Sequence, residues 1–92
     1  MADIDVTQTP QGHFAVEVRS GGVTTNHEVT VPADYAQTLG VSGGREQELV
    51  TESIRFLLER EPPSSILSRF SLTDIKSYFP EYEGEIANRM GS

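Results

Sequence analysis

Alternation of polarity through residues 3–31, broken only by turn residues, constrains this chain more than any other feature of its sequence. Ile4 and Val6 stand between Asp3, Asp5 and Thr7. Phe14, Val16 and Val18 alternate with Ala15, Glu17 and Arg19, and Val29 and Val31 with Glu28 and Thr30. A period of two with β-branched residues is the signature of half-buried strands. Thr9-Pro10-Gln11-Gly12 has turn chemistry, and Ser20-Gly21-Gly22-Val23 suits a two-residue hairpin loop. That loop sets Val18 opposite Thr25, Val16 opposite His27 and Phe14 opposite Val29. The first turn sets Val6 opposite Val16 and Ile4 opposite Val18. Every apolar position then falls on one face, and a slip of one residue would destroy the agreement. A three-stranded antiparallel meander with one wet face is predicted.

Beyond Pro32 the period changes to that of helices. Residues 33–39 place Tyr35, Ala36 and Leu39 inward, with Gly40 suited to the C-terminus and Val41-Ser42-Gly43-Gly44 as a flexible connection. Residues 45–60 carry Leu49, Val50, Ile54, Leu57 and Leu58 at helical spacing, with Phe56 widening the stripe and Arg60 near the last turn, before Pro62-Pro63. Ser64 or Ser65 is expected to cap a third helix with Ile66, Leu67 and Phe70. Ser71-Leu72-Thr73-Asp74 has the form of a capping box opening a fourth, with Leu72, Ile75 and Phe79. Glu81-Tyr82-Glu83-Gly84-Glu85 is expected to leave the domain. The expected fold is α+β: a three-stranded meander followed by three or four helices on one face. A single domain spans 1–85, and 86–92 form a frayed tail. The expected core is Ile4, Val6, Phe14, Val16, Val18, Val29, Val31, Leu39, Val50, Ile54, Leu57, Leu58, Ile66, Phe70, Ile75 and Phe79.

Charge narrows function more than motifs do. Asp and Glu number 14 against 7 Lys and Arg, a formal charge of −7. Phosphate contacts need clustered cations, so nucleic acid is not the expected partner. The chain has no cysteine, which removes thiolate chemistry. His27 is expected on the apolar face and His13 at the first turn, so they do not converge. The acidic residues are scattered, with Glu48, Glu52 and Glu59 on the solvent side of the long helix. Neither Gly21-Gly22 nor Gly43-Gly44 has phosphate-loop spacing. No catalytic, cofactor-binding or metal-ligating set is expected, and the chain is not expected to be an enzyme. No apolar run approaches the ~18 residues of a membrane span. The opening Met-Ala-Asp-Ile-Asp is unlike a secretory signal, which points to the cytoplasm.

One segment stands out. Of four Phe and three Tyr residues, Phe70, Tyr78, Phe79 and Tyr82 crowd into one stretch. Tyr78 and Tyr82 cannot both share the helix face of Leu72, Ile75 and Phe79. This segment is expected to close the sheet, and in part to form an apolar patch for a partner. The expected function is a small acidic protein–protein interaction module. Its partner is another protein with a basic surface, or a second copy pairing through the exposed edge of strand 23–31.

Two resemblances add an alternative. Residues 28–60, from Glu-Val-Thr-Val-Pro-Ala-Asp-Tyr-Ala-Gln-Thr-Leu-Gly to Ile54-Arg55-Phe56-Leu57-Leu58, resemble a ribbon–helix–helix DNA-binding domain. The resemblance implies a strand paired between subunits, a regulator or antitoxin role, and DNA contacts at Asn26, Glu28, Thr30, Arg45 and Arg55. The C-terminal stretch Leu-Leu-Glu-Arg-Glu-Pro, Ser-Ile-Leu-Ser-Arg-Phe and Tyr-Phe-Pro-Glu-Tyr is similar to a small family of uncharacterised bacterial proteins. It implies a bacterial, cytoplasmic setting and no activity.

Overall fold

The sheet is built on the register that the turns dictate. A computed structural model describes residues 3–9, 13–41 and 44–90. Strands β1 (Asp3–Gln8), β2 (His13–Ser20) and β3 (Val23–Thr30) form an antiparallel meander. Val6 faces Val16, Ile4 faces Val18, Val18 faces Thr25, Val16 faces His27 and Phe14 faces Val29. Gly21 and Gly22 take positive φ (59° and 81°), the conformation a tight hairpin loop requires. The turn expected at Thr9-Pro10-Gln11-Gly12 lies outside the described residues beyond Thr9, as do Ser42 and Gly43 of the second connection.

A fourth strand alters the expected picture. After α1 (Ala33–Thr38) and α2 (Glu46–Leu58), a 3₁₀ turn at Pro63–Ser65 leads into β4 (Arg69–Ser71). β4 pairs parallel to β3, with Phe70 opposite Val29, and the Glu28 amide donates to the Ser68 carbonyl (2.7 Å). The helix expected through Ile66, Leu67 and Phe70 is therefore not formed. Two prolines stiffen its start, and the backbone groups it would have used are satisfied by β3 instead. β3 is also no longer an edge over Glu28–Thr30, so the edge proposed for self-pairing is covered there.

The chain then folds back twice more. α3 (Leu72–Tyr78) opens with the expected capping box: the Thr73 amide donates to Ser71 Oγ (3.3 Å) and the Ser71 amide to Asp74 Oδ2 (3.0 Å). α4 (Tyr82–Arg89) replaces the expected departure at Glu81 and the tail from residue 86. Tyr82, Ile86 and Met90 recur one turn apart and are all buried. That single apolar stripe holds the segment down, while Glu83 and Glu85 occupy the first turn, where the helix dipole favours them. Residues 91 and 92 lie outside the described residues.

The helices cover one face of the sheet, giving an α+β fold. The core joins Val6, Phe14, Val16, Val18 and Val29 of the sheet to Leu49, Val50, Ile54 and Phe56 of α2 and to Tyr82 and Ile86 of α4. Ile4, Val31, Leu58 and Phe79, expected inside, are half-buried against it. The long helix ends earlier than expected. Arg60 lies past its last turn and reaches back to donate to the Phe56 carbonyl (3.2 Å). Among the described residues no helix is long and apolar enough to cross a membrane.

Candidate interaction groove

The aromatic segment splits into two environments. Tyr82 is buried completely. Ser53 Oγ donates to the Leu49 carbonyl (2.8 Å), which leaves it to accept from the Tyr82 hydroxyl (2.6 Å). Burial pushes the Tyr82 phenol up to about 12. Tyr82 packs edge-on against Phe56, with centroids 5.3 Å apart, and Phe79 packs on Phe56 as well, at 5.9 Å. The Arg60 guanidinium lies 3.7 Å from the Phe56 ring centroid. Arg60 also pairs with Glu81 (3.1 Å), and Arg89 pairs with Glu59 (2.7 Å) and Glu85 (3.2 Å). Arg89 holds the Glu59 carboxyl below the ordinary carboxylate range, opposed by slight burial. Tyr82, expected among partner-binding residues, thus belongs to the α2–α4 seal. Its neighbour in this layer, Tyr35, is buried with its hydroxyl beside Glu83 but without a hydrogen bond of ordinary geometry. Burial, and next the Glu83 carboxylate, push that phenol upward.

The other three aromatics meet at a groove of about 380 Å³. One wall is the segment from Glu61 through Ser65 and Ile66 to Leu67. The other is α3, with Asp74, Ile75 and Tyr78. Leu57 and Phe70 lie between them, and Phe79 separates the groove from the seal. Leu67 is 53% exposed and Tyr78 69%, so a large apolar side chain stands open on each wall. The structure therefore brings Phe70, Tyr78 and Phe79 together, as expected of a patch, and removes Tyr82 from it.

His27 fixes one wall. A carbonyl can only accept, so His27 Nδ1 donates to the Leu67 carbonyl (2.8 Å), and in the neutral ring Nε2 accepts from the Thr25 hydroxyl (2.9 Å). The ring is buried on the apolar face, as the hairpin register requires. Leu57, Glu61 and Leu67 escaped sequence reasoning as groove residues. Leu57 was assigned wholly to the core, and Leu67 to a helix that does not form.

The groove also has a charge of its own. Each of the seven Lys and Arg residues already faces a carboxylate: Arg19 faces Asp5 and Glu17, Arg45 faces Glu48, Arg55 faces Glu52, Arg69 faces Glu28 and Lys76 faces Glu83, besides the Arg60 and Arg89 pairs above. Asp3, Asp34, Glu46, Glu61 and Asp74 have no ion pair among the described residues; of these, Glu61 and Asp74 line the groove, and Asp74 accepts only from the Ser71 amide. The groove is apolar inside and carries one unpaired carboxylate on each wall.

The residues implied by the ribbon–helix–helix resemblance are dispersed. Asn26, Glu28 and Thr30 share the wet face of β3, where Glu28 pairs with Arg69 (3.0 Å) and Thr30 Oγ1 lies 2.9 Å from His13 Nδ1. Arg45, just before α2, and Arg55, on it, lie across the sheet and pair with Glu48 (3.0 Å) and Glu52 (2.9 Å). β3 has β2 on one side and β4 on the other over Glu28–Thr30, where the resemblance implies a second subunit. Among the described residues no group of three or more His, Asp or Glu converges as a metal site would. Comparison of the chain with protein-family models, with curated proteins and with solved structures found no match.

Proposed function

We propose that this protein is a non-enzymatic interaction module that binds another protein through the groove between residues 61–67 and α3. The observation that carries this reading is the pair of large apolar side chains, Leu67 and Tyr78, left open on facing walls of one apolar recess. Exposed apolar surface rimmed by polar groups is what partner sites look like, and Tyr at the centre of such a patch is a favoured anchor. A protein partner fits the charge better than DNA does. Every cation is already neutralised within the chain, so phosphates would have to break an ion pair at each contact. The regulator suggested by the ribbon–helix–helix resemblance would need such contacts at Arg45 and Arg55.

A photo-crosslinking phenylalanine analogue at position 78, and in a separate sample at exposed position 24 on the wet sheet face, tests this in lysate. A discrete protein adduct is expected from position 78 alone, and it should survive nuclease. Equal labelling from both positions, or loss of the adduct on nuclease treatment, would overturn the reading.

A further inference from the structure

Resting on that reading, we infer that the groove receives a cationic amphipathic helix of a different protein. Its charge comes from the two walls. Glu61 and Asp74 have no ion pair among the described residues, and Arg60 and Lys76 are taken by Glu81 and Glu83. An apolar segment carrying Lys or Arg would bury its anchors in the recess and supply the missing counter-charges. A second copy of this chain is a poorer source, because each of its seven Lys and Arg side chains would have to leave a carboxylate of its own chain.

A helix fits better than an added strand. Strand addition needs a run of open backbone groups. β4 is three residues long, and the amide of Ser71 already donates to Asp74. A recess of about 380 Å³ lies at the small end of ligand-sized sites, of order 300–1,000 Å³, and takes a few side chains rather than a backbone. Two anchors one helical turn apart, at i and i+3 or i+4, would reach it from one face, with Lys or Arg beside them.

Selection of random peptides of roughly 16 residues, about four helical turns, on the full chain tests this. Counter-selection uses the Leu67→Ser/Tyr78→Ser variant, and both changes are at exposed positions that leave the core intact. Circular dichroism of that variant verifies its fold. Selected peptides are then measured as synthetic probes by fluorescence anisotropy. Expected winners pair two large apolar residues at i, i+3 or i+4 with Lys or Arg on the same face. They should weaken about tenfold against Glu61→Gln, the loss of one charge-assisted contact, and weaken further with salt. Winners that require Leu67 and Tyr78 but are neutral or acidic, ignore Glu61→Gln, or alternate at i, i+2 would sink the cationic helix and leave the groove standing. Winners that bind the double variant equally, or no winners at all, would overturn the groove itself.

Discussion

Tyr78 and Tyr82 stand one helical turn apart in sequence, yet one is 69% exposed and the other has no exposure at all. The two regions they mark are built from the same materials: aromatic rings, carboxylates and a segment of helix. At the α2–α4 seal the polar groups of Tyr82, Arg60 and Arg89 all have partners. Tyr82 finds Ser53, and Arg60 and Arg89 divide Glu59, Glu81 and Glu85 between them while Arg60 covers Phe56. At the groove the partners are missing on both counts, with Leu67 and Tyr78 uncovered and Glu61 and Asp74 without a cation. Aromatic content alone therefore does not mark a binding surface. What separates core from interface is whether the polar atoms around the rings are satisfied within the chain.

Substitutions on the two sides should behave oppositely. The largest effect is expected from Phe56→Ala, which empties the centre of the seal and should cost on the order of 3–5 kcal/mol in urea unfolding. A small loss would show that the seal is not packed as described. Tyr82→Phe removes one buried hydrogen bond but leaves Ser53 bonded to Leu49, and should cost about 1 kcal/mol.

The same variant has a pH signature. The folded phenol holds its proton to about 12 against 10.0 in the unfolded chain, so unfolded molecules ionise first. Stability is then full below the unfolded value and declines as pH rises through this window. Tyr82→Phe should flatten that alkaline decline in part, with Tyr35 accounting for more of it, as a pH series of unfolding midpoints would show.

Smaller again is the acid side. The lowered Glu59 contributes stability that is present above the ordinary carboxylate range and lost as pH falls through its depressed value. The Glu59 carboxylate is exposed to solvent, so Glu59→Gln should blunt the acid limb only slightly, and less in high salt. The smallest change in stability is expected from Tyr78→Ser, within about 0.5 kcal/mol. An appreciable loss there would erase the contrast between the two tyrosines.

The sheet was legible because its evidence is local and redundant. Gly21-Gly22 fixes the loop length, the loop fixes the pairing, and the pairing puts Phe14, Val16, Val18 and Val29 on one side. β4 was not legible. Ile66, Leu67 and Phe70 have a spacing that a helix also satisfies, and their partner, Val29, lies far back in the chain. α4 was hidden for a different reason. Tyr82, Ile86 and Met90 have helical spacing, but three glutamates between residues 81 and 85 give the stretch the composition of a solvated tail. Within the site, Phe70, Tyr78 and Phe79 were found by composition. Glu61 could not be, because being unpaired is a property of the folded surroundings. Ser53 was the overlooked hint, a hydroxyl in the middle of the apolar stripe of α2 that needed a buried acceptor or donor.

β3 ends at Thr30, and β4, its parallel neighbour, begins only at Arg69, with α1 and α2 in between. Bringing such distant stretches together carries a loop-closure cost that the hairpins do not face. The meander can zip up from its turns as the polypeptide emerges, but β4 cannot pair with β3 until the crossover is complete. The wall that His27 ties at Leu67 thus hangs on the longest-range strand pairing in the sheet.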